Sequence, residues 1–370
     1  MEYCLREPDQ AGAAQELAAR LWFFWIACGF LREGRYYLDR AVRLGGAGRP
    51  RRWALWACAF VAGSMNDLGI AEELARQCRA EAAEAGDRRL TICATEVRGM
   101  IHAIRGDLDP AVDLLRECQD YYGGLDRIDV GRLRTLPMLG VTLVMRGDLD
   151  AALALEPECR RLCESLGEQW QRSYVHHFVA LALRGKNDPA GAVRNLTTAI
   201  ATKHQFHDII GLIMCLEPLA GAHADLGDGE RAARLLGAAE NLRHCYGLQA
   251  FGSAFHSGEY QQVERRAREL LGAEEYDSAV GKGRGMDLDG LVAYAVAERR
   301  PPDSRDLLTR REGEVAELVG DGLTNAEIAA RLVVSPRTAE SHVQNAMTKL
   351  GFTHRAQLAA WITARRPQES

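Results

Sequence analysis

A chain of 370 residues has room for about two domains, and its 47% hydrophobic and 26% charged residues make an ordinary soluble globular composition. The net charge of −5 is mild, so a nucleic-acid partner would require basic residues gathered in one place. The ten cysteines lack zinc-finger spacing, the first residues carry no signal-peptide pattern, and the longest apolar run, LWFFWIACGFL, is about half a membrane span. These features predict a cytoplasmic protein with reduced thiols, no metal, no cofactor and no membrane partner.

Residues 1–297 are predicted to be helical throughout. Alanine, leucine, arginine and glutamate dominate, and strand-like alternation is absent. Punctuation recurs at Gly29, Asn66, Gly106, Gly147, Gly185 and Gly227, at intervals of 37, 40, 41, 38 and 42 residues. After each turn a helix begins with a small residue (Gly34, Ala71, Ala111, Ala151, Ala192 or Ala232) that lets two helices approach closely. A turn, an amphipathic helix and a second helix at a period near forty is the signature of an α-solenoid. The pattern resembles tetratricopeptide (TPR) repeats, though it is longer than their usual length of about thirty-four residues.

The first repeat concentrates aromatic residues: Trp22, Phe23, Phe24, Trp25, Phe30, Tyr36, Tyr37, Trp53 and Trp56. They form either the core at the end of the solenoid, or a surface that meets a partner or ligand. His176 with His177, and His204 with His207, lack cysteine or carboxylate partners at fixed spacing and are not expected to bind metal. Beyond Gly247 the repeats degrade into a helical hairpin with a Gly-rich joint. A last helix follows, with Asp287 or Asp289 as its cap. GKGRG, at 281–285, lacks the spacing and the Ser or Thr of a phosphate loop. Two adjacent prolines and dispersed charge make 298–305 a linker.

Residues 306–366 carry clearer signals. Thr309 with Glu312, and Thr324 with Glu327, have capping-box spacing, in which each side chain satisfies the other residue's backbone N–H. Ser335 followed by Pro336 opens a third helix, which ends at Gly351, and Thr353 starts a fourth that carries Leu358, Trp361 and Ile362. On the third helix, Ala339, Val343, Ala346, Met347 and Leu350 fall on one side, with Arg337, Glu340, Ser341, Gln344 and Thr348 opposite. A short helix, a tight turn and a second helix with a polar outer face is the geometry that enters a DNA major groove. Charge divides accordingly. Residues 306–330 hold two basic and six acidic side chains, whereas 331–366 hold six basic ones and one acid, Glu340.

This stretch resembles the C-terminal DNA-binding domain of LuxR-type transcriptional regulators, a four-helix variant of helix-turn-helix. The resemblance rests on LTRREGEVAELV, GLTNAEIAARL, SPRTAESH and KLG followed by RAQLAAW. It implies that the helix at 336–350 is the recognition helix, with Glu340, Ser341 and Gln344 facing bases. Thr324, Arg337, Thr338, Asn345, Lys349 and Arg355 would touch phosphates or the groove edge. Several relatives carry a basic residue where Glu340 stands. A glutamate there repels phosphate and accepts only from a base such as cytosine. The first repeat and the AYAVAE tail are similar to the C-terminal half of large ATP-binding LuxR-type activators. No Walker A sequence occurs in this chain, so it is either a natural short form or a fragment, and ATP-driven oligomerisation is not carried over.

The expected protein is therefore all-α: a TPR-like α-solenoid (1–297), a linker (298–305) and a four-helix LuxR-type helix-turn-helix domain (306–366). Its expected function is sequence-specific regulation of transcription, with double-stranded DNA as partner, as a homodimer. The solenoid would receive a protein or small-molecule effector. The competing expectation is a protein-interaction scaffold with weak or vestigial DNA binding. No nucleophile elbow, metal motif or nucleotide fingerprint supports an enzyme.

Overall fold

The computed structural model describes residues 1–246, 254–297, 308–349, 352 and 354–363. The chain forms two compact units, Met1–Val296 and Ala297–Ser370. Among the described residues the regular structure is entirely helical. The proposed linker at 298–305, the helix joint at Gly351 and Thr353, the side chain of Trp361, and Arg365 with Arg366 lie outside the described residues.

In the first unit, α1 (Glu2–Arg6), α2 (Ala11–Arg20) and α3 (Trp22–Ala27) precede the helix pair α4 (Leu31–Arg43) and α5 (Arg49–Ser64). The next pairs are α6 (Leu68–Glu84) with α7 (Arg88–Arg105), and α8 (Leu108–Gly123) with α9 (Val130–Arg146). A divided first helix follows, α10 (Leu149–Leu153) and α11 (Glu156–Leu166), paired with α12 (Trp170–Gly185). Then come α13 (Pro189–Gln205) with α14 (Ile209–Asp225), and finally α15 (Gly229–Tyr246), α16 (Ala254–Leu271), α17 (Ala273–Arg284) and α18 (Leu288–Val296). From α4 to α15 each helix packs mainly on its neighbours in sequence, which is the solenoid arrangement, whereas α17 packs mainly on α15 and α18 on α13.

The repeat has a local cause. Pairs open on a left-handed residue followed by aspartate: Asn66-Asp67, Gly106-Asp107, Gly147-Asp148, Asn187-Asp188 and Gly227-Asp228, with φ between 65° and 91° at the first position. Glycine suits that conformation because it has no Cβ to meet the carbonyl, and asparagine tolerates it because its short polar side chain can hydrogen-bond locally. Asp188 accepts from Gly191 N at 2.8 Å and Asp228 from Arg231 N at 3.2 Å, each satisfying an N–H at a helix start. Four residues after each aspartate stands an alanine with no exposed surface: Ala71, Ala111, Ala152, Ala192 and Ala232.

Ala151, expected in that set, is exposed instead, and its neighbour Ala152 makes the close approach. The left-handed residue and the aspartate after it keep one frame, with the buried alanine five residues beyond the first in every repeat. Counted from Asp67, Asp107, Asp148, Asp188 and Asp228, the period is 40, 41, 40 and 40 residues. The same repeat is interrupted at Pro157, which lacks an N–H and whose ring excludes the carbonyl four residues back, that of Leu153 where α10 ends.

The helix α3 does not continue the stack. Trp22 makes edge contacts with Trp56 and Phe60, at 5.4 and 5.8 Å between ring centroids. Phe23 meets Trp170, far along the chain, at 4.7 Å. Ile210 of α14 joins the same apolar cluster as Trp25 and Ile26. The inner helices α5, α9, α12 and α14 thus curve around α3. The aromatic cluster is core for Trp25 and Trp56, while Phe24, Phe30 and Tyr36 are exposed. At the far end, Asp287 rather than Asp289 caps α18, accepting from Gly290 N at 2.8 Å. The second unit holds α19 (Arg310–Gly320), α20 (Asn325–Leu332), α21 (Pro336–Lys349) and α22 (Arg355–Thr363). Its core includes Leu308, Val315, Val319, Ile328, Ala339, Val343, Ala346, Leu358 and Ile362.

Candidate nucleic-acid interface

Capping fixes where α19, α20 and α21 begin. Thr309 N donates to Glu312 Oε2 at 2.7 Å, and Glu312 N returns a bond to Thr309 Oγ1 at 3.3 Å. Thr324 and Glu327 repeat the arrangement at 2.7 and 3.4 Å. Both are complete capping boxes. Ser335 Oγ accepts from Thr338 N at 3.1 Å and lies 2.7 Å from the Thr338 hydroxyl. The turn from α20 to α21 passes through Val333, which has φ 55° and ψ 51° and is 90% exposed. A β-branched residue in that left-handed region is strained by about 1–2 kcal/mol. The sequence does not announce it, because glycine or asparagine is the expected signal there.

The helix α21 buries Ala339, Val343, Ala346 and Met347 against α19 and α20. Leu350, placed on the same stripe, lies outside the described residues. Arg337, Glu340, Ser341, Gln344, Asn345 and Thr348 are all exposed. At about 100° per residue they span an arc of about 140°. Arg337 has no hydrogen bond or ion pair among the described residues, so its guanidinium is available to a ligand.

The other basic side chains are differently placed. Lys349 Nζ lies 2.7 Å from Glu312 Oε2, tying the end of α21 to the start of α19. Burial opposes the Glu312 charge, but the Lys349 ammonium and the Thr309 donors hold its pKa below the ordinary value. At Glu327 the backbone N–H and hydroxyl of Thr324 lower it likewise. Arg355 donates to Asn325 Oδ1 at 2.6 Å and to the Leu323 carbonyl, bracing α22 against the start of α20. Thr324 is exposed but its hydroxyl donates to Glu327 at 2.7 Å. Thus Arg337, Glu340, Ser341, Gln344 and Asn345 share one open face. Thr324, Thr338, Lys349 and Arg355 are engaged in holding the helices.

Two supporting residues escaped the sequence analysis. Arg311 donates to the Leu332 carbonyl at 2.7 Å, closing the exposed end of α20, and pairs with Glu314 at 2.8 Å. Asn325 is the partner of Arg355. Neither lies in a pattern that spacing alone identifies, because each acts on an element distant in sequence. Among the described residues no group of three or more His, Cys, Asp or Glu side chains is arranged to hold a metal, and no helix is long and apolar enough to cross a membrane.

Residues 306–362 match the family described as bacterial regulatory proteins, luxR family. A candidate HTH-type transcriptional regulator of Mycobacterium bovis is 35% identical over 192 residues, 50% of this chain and 22% of that protein. The chain therefore spans about a fifth of that relative's length. The spore germination protein GerE of Bacillus subtilis is 48% identical over 54 residues, 15% of this chain and 73% of that protein. Among solved structures, TPR-like repeats of a candidate kinesin light chain from Podospora anserina align with a TM-score of 0.39 at 17% identity, covering 54% of this chain and 98% of theirs. A likeness of that size carries no weight, and the repeat assignment stands on the helix pairing of this chain.

Proposed function

We propose that this chain, which belongs to the luxR family of bacterial regulatory proteins, is a sequence-specific regulator of transcription that reads DNA with α21 in the major groove. The observation that carries the reading is the open polar face of α21 on a frame in which α19, α20 and α21 each start at a capped turn. On this proposal Glu340, Ser341 and Gln344 face bases, and Thr324, Arg337, Thr338, Asn345, Lys349 and Arg355 touch phosphates or the groove edge. The domains run 1–297 and 306–366 with a linker at 298–305, and the protein acts in the cytoplasm. It binds as a homodimer on half-sites about one helical turn apart. The solenoid receives an effector and biases DNA binding. Footprinting on genomic fragments tests this: a discrete protected site is expected, and sequence-blind binding would refute it.

A scaffold with vestigial DNA binding is the second reading. It is favoured by the ties of Lys349 and Arg355 to Glu312, Asn325 and Leu323, and by an acid at Glu340. Salt separates the two. Phosphate neutralisation makes affinity fall steeply, on the order of 10³-fold or more between 50 and 200 mM salt when about six phosphates are contacted. A flat response supports the scaffold.

A further inference from the structure

The inner face of the solenoid encloses a cavity of about 180 Å³ between α3, α5, α7, α9, α12 and α14. Ile26 of α3 closes it on one side, and Met100, Met138, Met145 and Met214 contribute much of an almost wholly apolar wall. Methionine is unbranched and polarisable, so such a wall adapts to differently shaped apolar guests. The polar groups that border the cavity are nearly all committed elsewhere. Thr142 Oγ1 donates to the Met138 carbonyl at 2.8 Å and Ser64 Oγ to the Phe60 carbonyl at 2.9 Å. Arg134 is paired with buried Glu96 through two bonds of 2.5 Å, and its guanidinium lies 5.0 Å from the centre of the Trp56 ring.

The far wall is held rigidly. Asp208, with no exposed surface, accepts from Trp170 Nε1 at 2.9 Å, from the Tyr174 hydroxyl at 2.8 Å and from Gly211 N at 2.8 Å. The equally buried Lys203 ammonium stands 3.4 Å from the same carboxylate. Burial pushes the Lys203 pKa down, and Asp208 counters it. One group is left over. The Gln171 side chain borders the cavity, is 8% exposed, and its carboxamide makes no hydrogen bond among the described residues. Its amide atoms are open to the cavity, and an amide can both donate to and accept from a ligand there.

We propose that this cavity is a binding site for a small, mainly apolar molecule of about one ring, bearing a single hydrogen-bonding group that meets Gln171. Size supports the assignment, since an apolar cavity of about 150 Å³ accommodates benzene. The cavity touches five inner helices and α3, so an occupant bears on the packing of the solenoid as a whole. The proposal deepens the effector reading above and rests on it for the consequence, though not for the binding itself.

The test uses the full chain with methyl-labelled methionine, titrated with p-cresol and with toluene and followed by NMR. Saturable shifts are expected at Met100, Met138, Met145 and Met214, with Met286 and Met347 unmoved. Val141→Trp, which fills the cavity, should weaken binding at least about tenfold. Gln171→Leu should weaken p-cresol about five- to tenfold and leave toluene unchanged, because one hydrogen bond is lost. Absence of shifts, equal shifts at Met286 and Met347, or full binding by Val141→Trp overturns the proposal. DNA affinity measured with and without p-cresol is a separate arm. An unchanged affinity beside intact methyl shifts refutes the effector reading and leaves the site standing.

Discussion

In the solenoid, Arg134 and Glu96 lie buried and joined by two bonds of 2.5 Å. On α21, Arg337 and Gln344 stand exposed, with no side-chain partner among the described residues. At these positions the two units use arginine in opposite ways. A charge removed from water must be matched by a fixed counter-charge, and the pair then specifies one packing of α7 against α9. A polar group left in water costs nothing to hold in reserve, and remains available to a ligand that offers better geometry. The first use belongs to a scaffold and the second to a recognition surface.

The sharpest way to break this contrast is Glu96→Ala. It strands the Arg134 guanidinium in the interior, and should destabilise the first unit by about 3–5 kcal/mol. Urea denaturation followed by tryptophan fluorescence would show it, and a loss below about 1 kcal/mol would mean that water reaches the pair. Glu312→Ala should cost the second unit about 2–3 kcal/mol, since it removes both a helix cap and the carboxylate that meets Lys349.

The sign of the accompanying pH effect follows from the lowered pKa of Glu312. Its contribution is fully present above the ordinary carboxylate range and is lost as pH falls through the lowered folded value. Acid denaturation of Glu312→Gln should therefore show a shallower pH dependence than the parent protein.

Surface changes on α21 should leave stability alone and alter binding. Gln344→Ala is expected to cost about 1–3 kcal/mol at the cognate site and to relax base preference, whereas Arg337→Ala should weaken all sequences evenly and lower the salt slope by about 1. An unchanged target profile for Gln344→Ala would remove it from the reading face. The smallest effect is expected at Val333. Replacement by glycine relieves a left-handed β-branched residue and should stabilise the second unit by about 1 kcal/mol. Thermal unfolding would check it, and destabilisation would show that the exposed valine side chain makes a contact worth more than the strain.

Sequence alone determined the features that depend on neighbours along the chain. Capping at Thr309, Thr324 and Ser335, the buried stripe of α21 and the forty-residue helix pairs are all products of three- to four-residue spacing or of a turn residue's φ. The same local logic slipped by one position at Ala151, because the buried alanine stands five residues after the left-handed residue in every repeat, which from Gly147 is Ala152.

The tertiary structure decided what depends on groups far apart in sequence. Arg134 finds Glu96 38 residues away, and Asp208 gathers Trp170 and Tyr174. Arg355 finds Asn325, and α3 enters the inner face to meet α12 and α14. No periodicity encodes such pairings. They arise because a solenoid of curved helix pairs brings its inner helices around one centre, and only the accumulated curvature of several repeats sets which side chains meet there.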